Sequence, residues 1–222
     1  FNADSSDPDD NGNRELNISG VKIYNATTEN DTRDNGAAIN IVGQNSNVNL
    51  EYSSLENNKA QNSGGAIYND GGQLIASNTD FKNNQAENSG GAIFNNSGSS
   101  SINGSDITSN TALSAGAIYN NASLDIQNAN ISNNSATNGQ GGAIYNDNSA
   151  SASITTANIN ENTSSSNGGA IYNSGSMTIT NAVVKENTSA ANGGAIYNTG
   201  ELTLNNVSFD SNTSSQGGAI YN

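Results

Sequence analysis

Apolar residues along this chain stand at fixed offsets from one another, separated by runs of Asn, Gly and Ser. The plainest mark is GGAIYN and its variants. Its Ile recurs as Ile39, Ile67, Ile93, Ile118, Ile144, Ile171, Ile196 and Ile220, at intervals of 28, 26, 25, 26, 27, 25 and 24 residues. Between successive copies lies an apolar residue followed three positions later by Asn: Leu55/Asn58, Phe81/Asn84, Ile107/Asn110, Ile131/Asn134, Ile159/Asn162, Val184/Asn187 and Phe209/Asn212. Five residues before each apolar member comes Leu50, Ala76, Ile102, Ile126, Ile154, Ile179 or Leu204. Seven before comes Val48, Leu74, Ser100, Leu124, Ala152, Met177 or Leu202. Two inward positions separated by one residue have the period of a strand, not of a helix. All variation in length falls in two gaps, one on each side of GGAIYN. Turns absorb insertions in this way while the strands keep their register.

A recurrence of this length marks a stacked array. One coil of short strands buries little alone, but stacked coils share a continuous apolar column and offer their backbone groups to the coils above and below. The sequence therefore predicts an all-β parallel solenoid of about eight or nine coils of about 26 residues. At ~4.8 Å per coil it would be a rod about 40 Å long. The array is expected over residues 16–222, because Leu16, Ile18 and Ile23 fit the same frame, with Ala26 in the place of the Asn. Residues 1–15 read as an acidic leader or cap. The only proline, Pro8, lies outside the repeats, as it must if every strand donates to its neighbours.

Stacking in register gathers the polar positions into columns too. One Asn column follows the apolar residue by three. A second closes GGAIYN, as Asn69, Asn95, Asn120, Asn146, Asn173, Asn198 and Asn222. Asn suits turns because it tolerates the left-handed region and bonds nearby backbone, and stacked amides bond one another. The paired Gly is expected to supply a positive-φ turn or a close backbone approach.

Composition removes several chemistries. There is no Cys, hence no disulfide or thiolate site, and no His, the commonest general base and metal ligand. Six basic residues against 20 acidic give a net charge of −14, which repels nucleic acid and anionic membranes. Low hydrophobicity with high charge is ordinarily a mark of disorder; the fixed apolar spacing overrides it here. No apolar run is long enough to span a bilayer. No signal peptide is visible, and the chain is read as a processed or excised piece of a longer one.

The alternation of GGAI with apolar-x-x-Asn resembles the polymorphic outer membrane protein repeat of autotransporter passenger domains and adhesin-like surface proteins. The resemblance covers residues 16 to 222. The apolar position is Phe, as in the family pattern, only at Phe81 and Phe209. The first GGAI copy is reduced to Gly36, Ala37, Ala38, Ile39 and Asn40. The resemblance implies a right-handed parallel β-helix of the pectin-lyase type. It also implies a secreted or cell-surface, outer membrane-associated rod, anchored through a region not present in this sequence.

Four features are candidates for function. Tyr68, Phe94, Tyr119, Tyr145, Tyr172, Tyr197 and Tyr221 each follow a motif Ile. If Ile points in, these rings form an outward column, either a contact face for carbohydrate or protein or a stack that steadies the sheet. Asp80 with Asp106, and Glu161 with Glu186, occupy matching positions in neighbouring coils. Such pairs have the spacing of glycosidase carboxylates or of half a calcium site, or are solvated surface charge. Asp7, Asp9, Asn11 and Asn13 begin a calcium-loop pattern, but position twelve is Ile18 instead of the bidentate Glu. The alternative is a plain acidic leader, and no other cofactor is expected. Asn-x-Ser/Thr triplets, among them Asn17, Asn25, Asn95, Asn121, Asn187 and Asn212, permit glycosylation without requiring it.

Three functional classes follow. The first is a non-enzymatic adhesin or passenger rod that meets a host or neighbouring-cell protein, a glycan or another copy of itself, without nucleic acid and without inserting into a membrane. The second is a polysaccharide-processing enzyme, since the resembling fold also hosts lyases and hydrolases. Against it, the two Arg, Arg14 and Arg33, lie at the degraded end. The third is an ice-binding rod, which needs a regular Thr column. The outward position between the first two inward residues reads instead Asn49, Ile75, Ser101, Asp125, Ser153, Thr178 and Thr203.

Overall fold

The computed structural model describes residues 14–28 and 35–222, and among these the regular structure is all strand, with no helix. Eighteen strands join in one continuous parallel sheet that winds around the core, and six two-residue strands form a second. The register follows the repeat. Ile118 lies between Ile93 and Ile144, Ile126 between Ile102 and Ile154, and Ile131 between Ile107 and Ile159. All three are fully buried, as the period-two reading requires, and the ring that follows each motif Ile from Ile67 onward is only half-buried.

GGAIYN strands form eight rungs, from Ile39–Val42 to Ile220–Tyr221. Eight rungs bound seven closed turns, fewer than the eight or nine coils predicted. The reason lies at the ends. The coil that opens with Arg14–Ser19 has no GGAIYN strand before it among the described residues, and the last coil consists only of Ile220–Tyr221. Ile, Leu and Ala side chains fill the interior as one column. In the outermost rungs Leu16, Ile18, Leu204 and Phe209 are only partly buried, since each has a neighbour on one side alone.

Three corners of each coil turn through a left-handed residue. One corner carries Asn78, Gly104, Asn128, Thr156, Asn181 and Asn206; a second carries Asn57, Asn83, Ser109, Asn133, Glu161 and Glu186; the third carries the first Gly of the motif. Gly64, at φ 68°, is one of these. The second Gly has the other role. A Cβ on Gly65 would fall 1.9 Å from the Gly91 carbonyl oxygen. In the Ser-Ala-Gly-Ala-Ile copy, Ala115 takes the left-handed place at φ 53°.

The Asn columns bind the coils together. Asn110 donates from Nδ2 to Phe81 O (2.9 Å) in the preceding coil and to Asn134 Oδ1 (3.0 Å) in the next. Its Oδ1 accepts from the Asn84 backbone N–H (2.9 Å) and from Asn84 Nδ2 (3.1 Å). The same pattern runs through Asn58, Asn84, Asn134, Asn162 and Asn187. Both donors and both acceptor sites of a buried amide are thus used, which removes the burial penalty. Ala26, with no side-chain amide, joins only through its backbone N–H, which donates to Asn58 Oδ1 (3.0 Å). One detail differs from the sequence reading: the left-handed residue is the one before each ladder Asn, such as Asn83, Ser109 or Glu161. The ladder Asn itself turns inward to bond.

The second column works alike. Asn95 Nδ2 donates to Asn120 Oδ1 (2.8 Å) and to Ser123 O (2.9 Å), and Asn120, Asn146 and Asn173 repeat the step.

Candidate aromatic face

The aromatic column forms because GGAIYN strands stack without slip, setting Tyr119 between Phe94 and Tyr145 and Tyr172 between Tyr145 and Tyr197. Alternation turns each ring outward, and from Tyr68 to Tyr197 the Ile before it and the Asn after it are buried. From Tyr68 to Tyr221 successive ring centroids lie 5.3, 4.7, 4.8, 4.6, 5.3 and 5.1 Å apart, with interplanar angles of 21° or less. Each inner ring is therefore covered on both faces and presents its edge outward, with a hydroxyl on every one but Phe94. The column stops at the N-terminal side, where Asn40 pairs with Tyr68; Asn40 Oδ1 is buried without a hydrogen bond.

Polar residues of the adjoining turn line the hydroxyl edge. Tyr119 Oη donates to Asp147 Oδ2 (2.8 Å). Asp70 Oδ1 accepts from Asn96 Nδ2 and Ser97 Oγ, both at 2.9 Å. Burial of the rings is the main cause that pushes the Tyr68, Tyr119 and Tyr145 phenols above the ordinary tyrosine value. Asp147 adds to the effect at Tyr119, and Tyr145 is pushed up to about 12. The phenols stay neutral at physiological pH and offer apolar edges with hydroxyl donors and acceptors. Such a surface suits saccharide rings or another protein's side chains.

The carboxylate pairs occupy a different face. Asp80 and Asp106 flank one ammonium: Lys82 Nζ lies 2.8 Å from Asp80 Oδ2 and 3.2 Å from Asp106 Oδ2. Hydrogen bonding to Asp80 is the largest cause raising the Lys82 pKa, so the cation persists between them. Glu161 and Glu186 stand exposed at left-handed corners, with Lys185 Nζ 3.6 Å from Glu186 Oε1. Asp7, Asp9, Asn11 and Asn13 lie outside the described residues. Among the glycosylation triplets, Asn95 and Asn187 are fully buried ladder members, Asn121 is half-buried, and Asn17 and Asn25 are exposed.

Sequence reasoning missed a corner groove. Three shallow hollows follow one left-handed column along the rod. Gly20, Val21 and Tyr52 line the first (≈ 460 Å³), Gly104, Asn128 and Thr156 the second (≈ 320 Å³), and Asn181, Asn206 and Val207 the third (≈ 330 Å³). A signal existed, since Asn or Gly recurs two residues after the second inward apolar position. Tyr52 and Thr156 interrupt that pattern and hide it.

The repeat model of the Chlamydia polymorphic membrane protein (Chlamydia_PMP) family matches residues 52–70, 78–96, 128–147, 156–174, 181–199 and 206–222, just over half of the chain. Each segment runs from an apolar-x-x-Asn strand through the following GGAIYN. The coil between residues 97 and 127, which has the shortened turn and Ala115 in place of Gly, falls between matches. No curated protein and no solved structure matches the chain.

Proposed function

This chain belongs to the Chlamydia polymorphic membrane protein repeat family, and from that premise we propose that it is a non-enzymatic adhesive rod at the cell surface. These repeats and the parallel solenoid fit a surface-exposed, passenger-type domain. Among the described residues no helix is long and apolar enough to cross a membrane. In this reading the rod contacts a host or neighbouring-cell protein, a glycan or another copy of itself through the aromatic face. The carrying observation is the unbroken stack of seven rings in register on one outer face. Rings already fixed by their neighbours lose little freedom when a partner docks. Weak contacts repeated along several rungs, and along many rods on one cell, give avidity without a deep pocket.

No turnover of a substrate is expected. Asp80 and Asp106 both pair with the Lys82 ammonium, so neither stands free to act as the acid or the nucleophile of a glycosidase pair.

The test is the joint replacement Tyr119→Ser, Tyr145→Ser and Tyr172→Ser, with the fold checked by circular dichroism. Binding to cells and to a glycan array should fall sharply in the variant. Full binding by the folded variant would remove the aromatic face from the account, and cleavage of a polysaccharide by the unaltered protein would overturn the non-enzymatic reading.

A further inference from the structure

We propose that Asn138 is a site of spontaneous deamidation in the folded protein, through attack by the amide nitrogen of Gly139. Five Asn-Gly bonds fall within the described residues: Asn35-Gly36, Asn103-Gly104, Asn138-Gly139, Asn167-Gly168 and Asn192-Gly193. In four of them the Gly N–H is committed to the next coil. Gly36 donates to Ser63 O, Gly104 to Gln127 O, Gly168 to Asn192 O and Gly193 to Gln216 O, at 2.9–3.0 Å. Gly139 donates no such bond. On either side the backbone is tied down, Asn138 N–H to Leu113 O of the preceding coil and Gly141 N–H to Asn167 O of the next, which leaves Gly139 at the crown of the turn.

The side chains set Asn138 apart from three of the others, while Asn192, half-buried, is restrained through the Gly193 N–H instead. Asn35 Oδ1 accepts from Ser63 N–H, Asn103 Oδ1 from Asn128 Nδ2, and Asn167 Oδ1 from Asn192 N–H. Asn138 is exposed and its amide makes no hydrogen bond, so Cγ is free to swing toward the following nitrogen. This turn is also longer than those of the repeats beside it: Ile144 follows Ala136 by eight residues, against seven from Ser164 to Ile171 and six from Ala112 to Ile118. Glycine is fixed at the crown by packing, since a Cβ on Gly139 would fall 1.9 Å from Ser114 Oγ. With no Cβ beside it, the Gly139 nitrogen is unhindered.

The chemistry needs only water. The Gly139 nitrogen loses its proton and forms a bond to Asn138 Cγ. The bond between Asn138 Cγ and Nδ2 then breaks, and the amide leaves as ammonia with that proton. Water opens the resulting five-membered imide at either carbonyl, giving aspartate or isoaspartate at position 138. Each event adds one negative charge, and the isoaspartyl product adds a methylene to the backbone. The crown makes no Gly139 N–H bond to the next coil, so the stack tolerates both products. An amide that must first break a cross-coil bond reacts only through a minor open state, which slows it by about ten-fold or more.

The test is peptide mapping with isoaspartate detection on the folded protein, aged in mildly alkaline buffer, beside a sample held in urea. Position 138 should convert about ten-fold or more faster than positions 103, 167 and 192 when folded, and all four should convert at similar rates in urea. Equal rates in the folded protein would overturn the proposal. So would an advantage of position 138 that persists undiminished in urea, because it would then belong to the local sequence.

Discussion

Asn110 spends all four hydrogen-bonding positions of its side chain on the two coils beside it. Asn110→Ala strands the Asn84 amide donor and the Phe81 carbonyl in the interior, and is expected to cost about 2–4 kcal/mol. Urea unfolding followed by circular dichroism measures this; a loss within experimental error would mean that water replaces the ladder. Ala115 is the opposite case, a residue in the place of a glycine. Ala115→Gly relieves a left-handed alanine, worth about 1 kcal/mol, and the same titration should show a gain. A clear loss would show that its buried methyl outweighs the strain. These columns were legible because each position repeats in every coil, so stacking alone places it. The left-handed residue before each ladder Asn was less legible, because Asn83, Ser109 and Glu161 share a backbone conformation and no side-chain type.

As an element, the aromatic column answers to pH. The raised phenol pKa values of Tyr68, Tyr119 and Tyr145 mean that the folded protein holds protons which the unfolded one releases near pH 10. Stability from this source is complete below about pH 10 and is lost as pH rises through the folded values, about 12 for Tyr145. Thermal melts should therefore fall between these pH values, and Tyr145→Phe should reduce the fall. A pH-independent melting point over that window would show that the rings are as solvated in the fold as in the unfolded state. That these rings face outward was readable from the parity of Ile144 and Tyr145. The commitment of Lys82 to both Asp80 and Asp106 was not, because it joins residues of two coils through a long flexible side chain. The corner groove is a property of three adjacent turns and of no single motif.

For the molecule as a whole, nearly every feature follows from adding one rung per repeat. The count of turns was overestimated because GGAIYN copies and apolar-x-x-Asn copies are out of phase, so among the described residues the first and last coils each show only some of their strands. The absence of cysteine makes the rung rule directly measurable. With Asn49→Cys and Thr203→Cys, nitroxide labels would sit on one outward column, joined in register through Ile75, Ser101, Asp125, Ser153 and Thr178. Pulsed electron resonance should give a single narrow distance of about 29 Å, six rungs at ~4.8 Å, and the pair Ser101→Cys with Thr203→Cys should give about 19 Å, four rungs. Broad distributions, or distances that fail to grow with the number of rungs between the labels, would contradict the in-register stack.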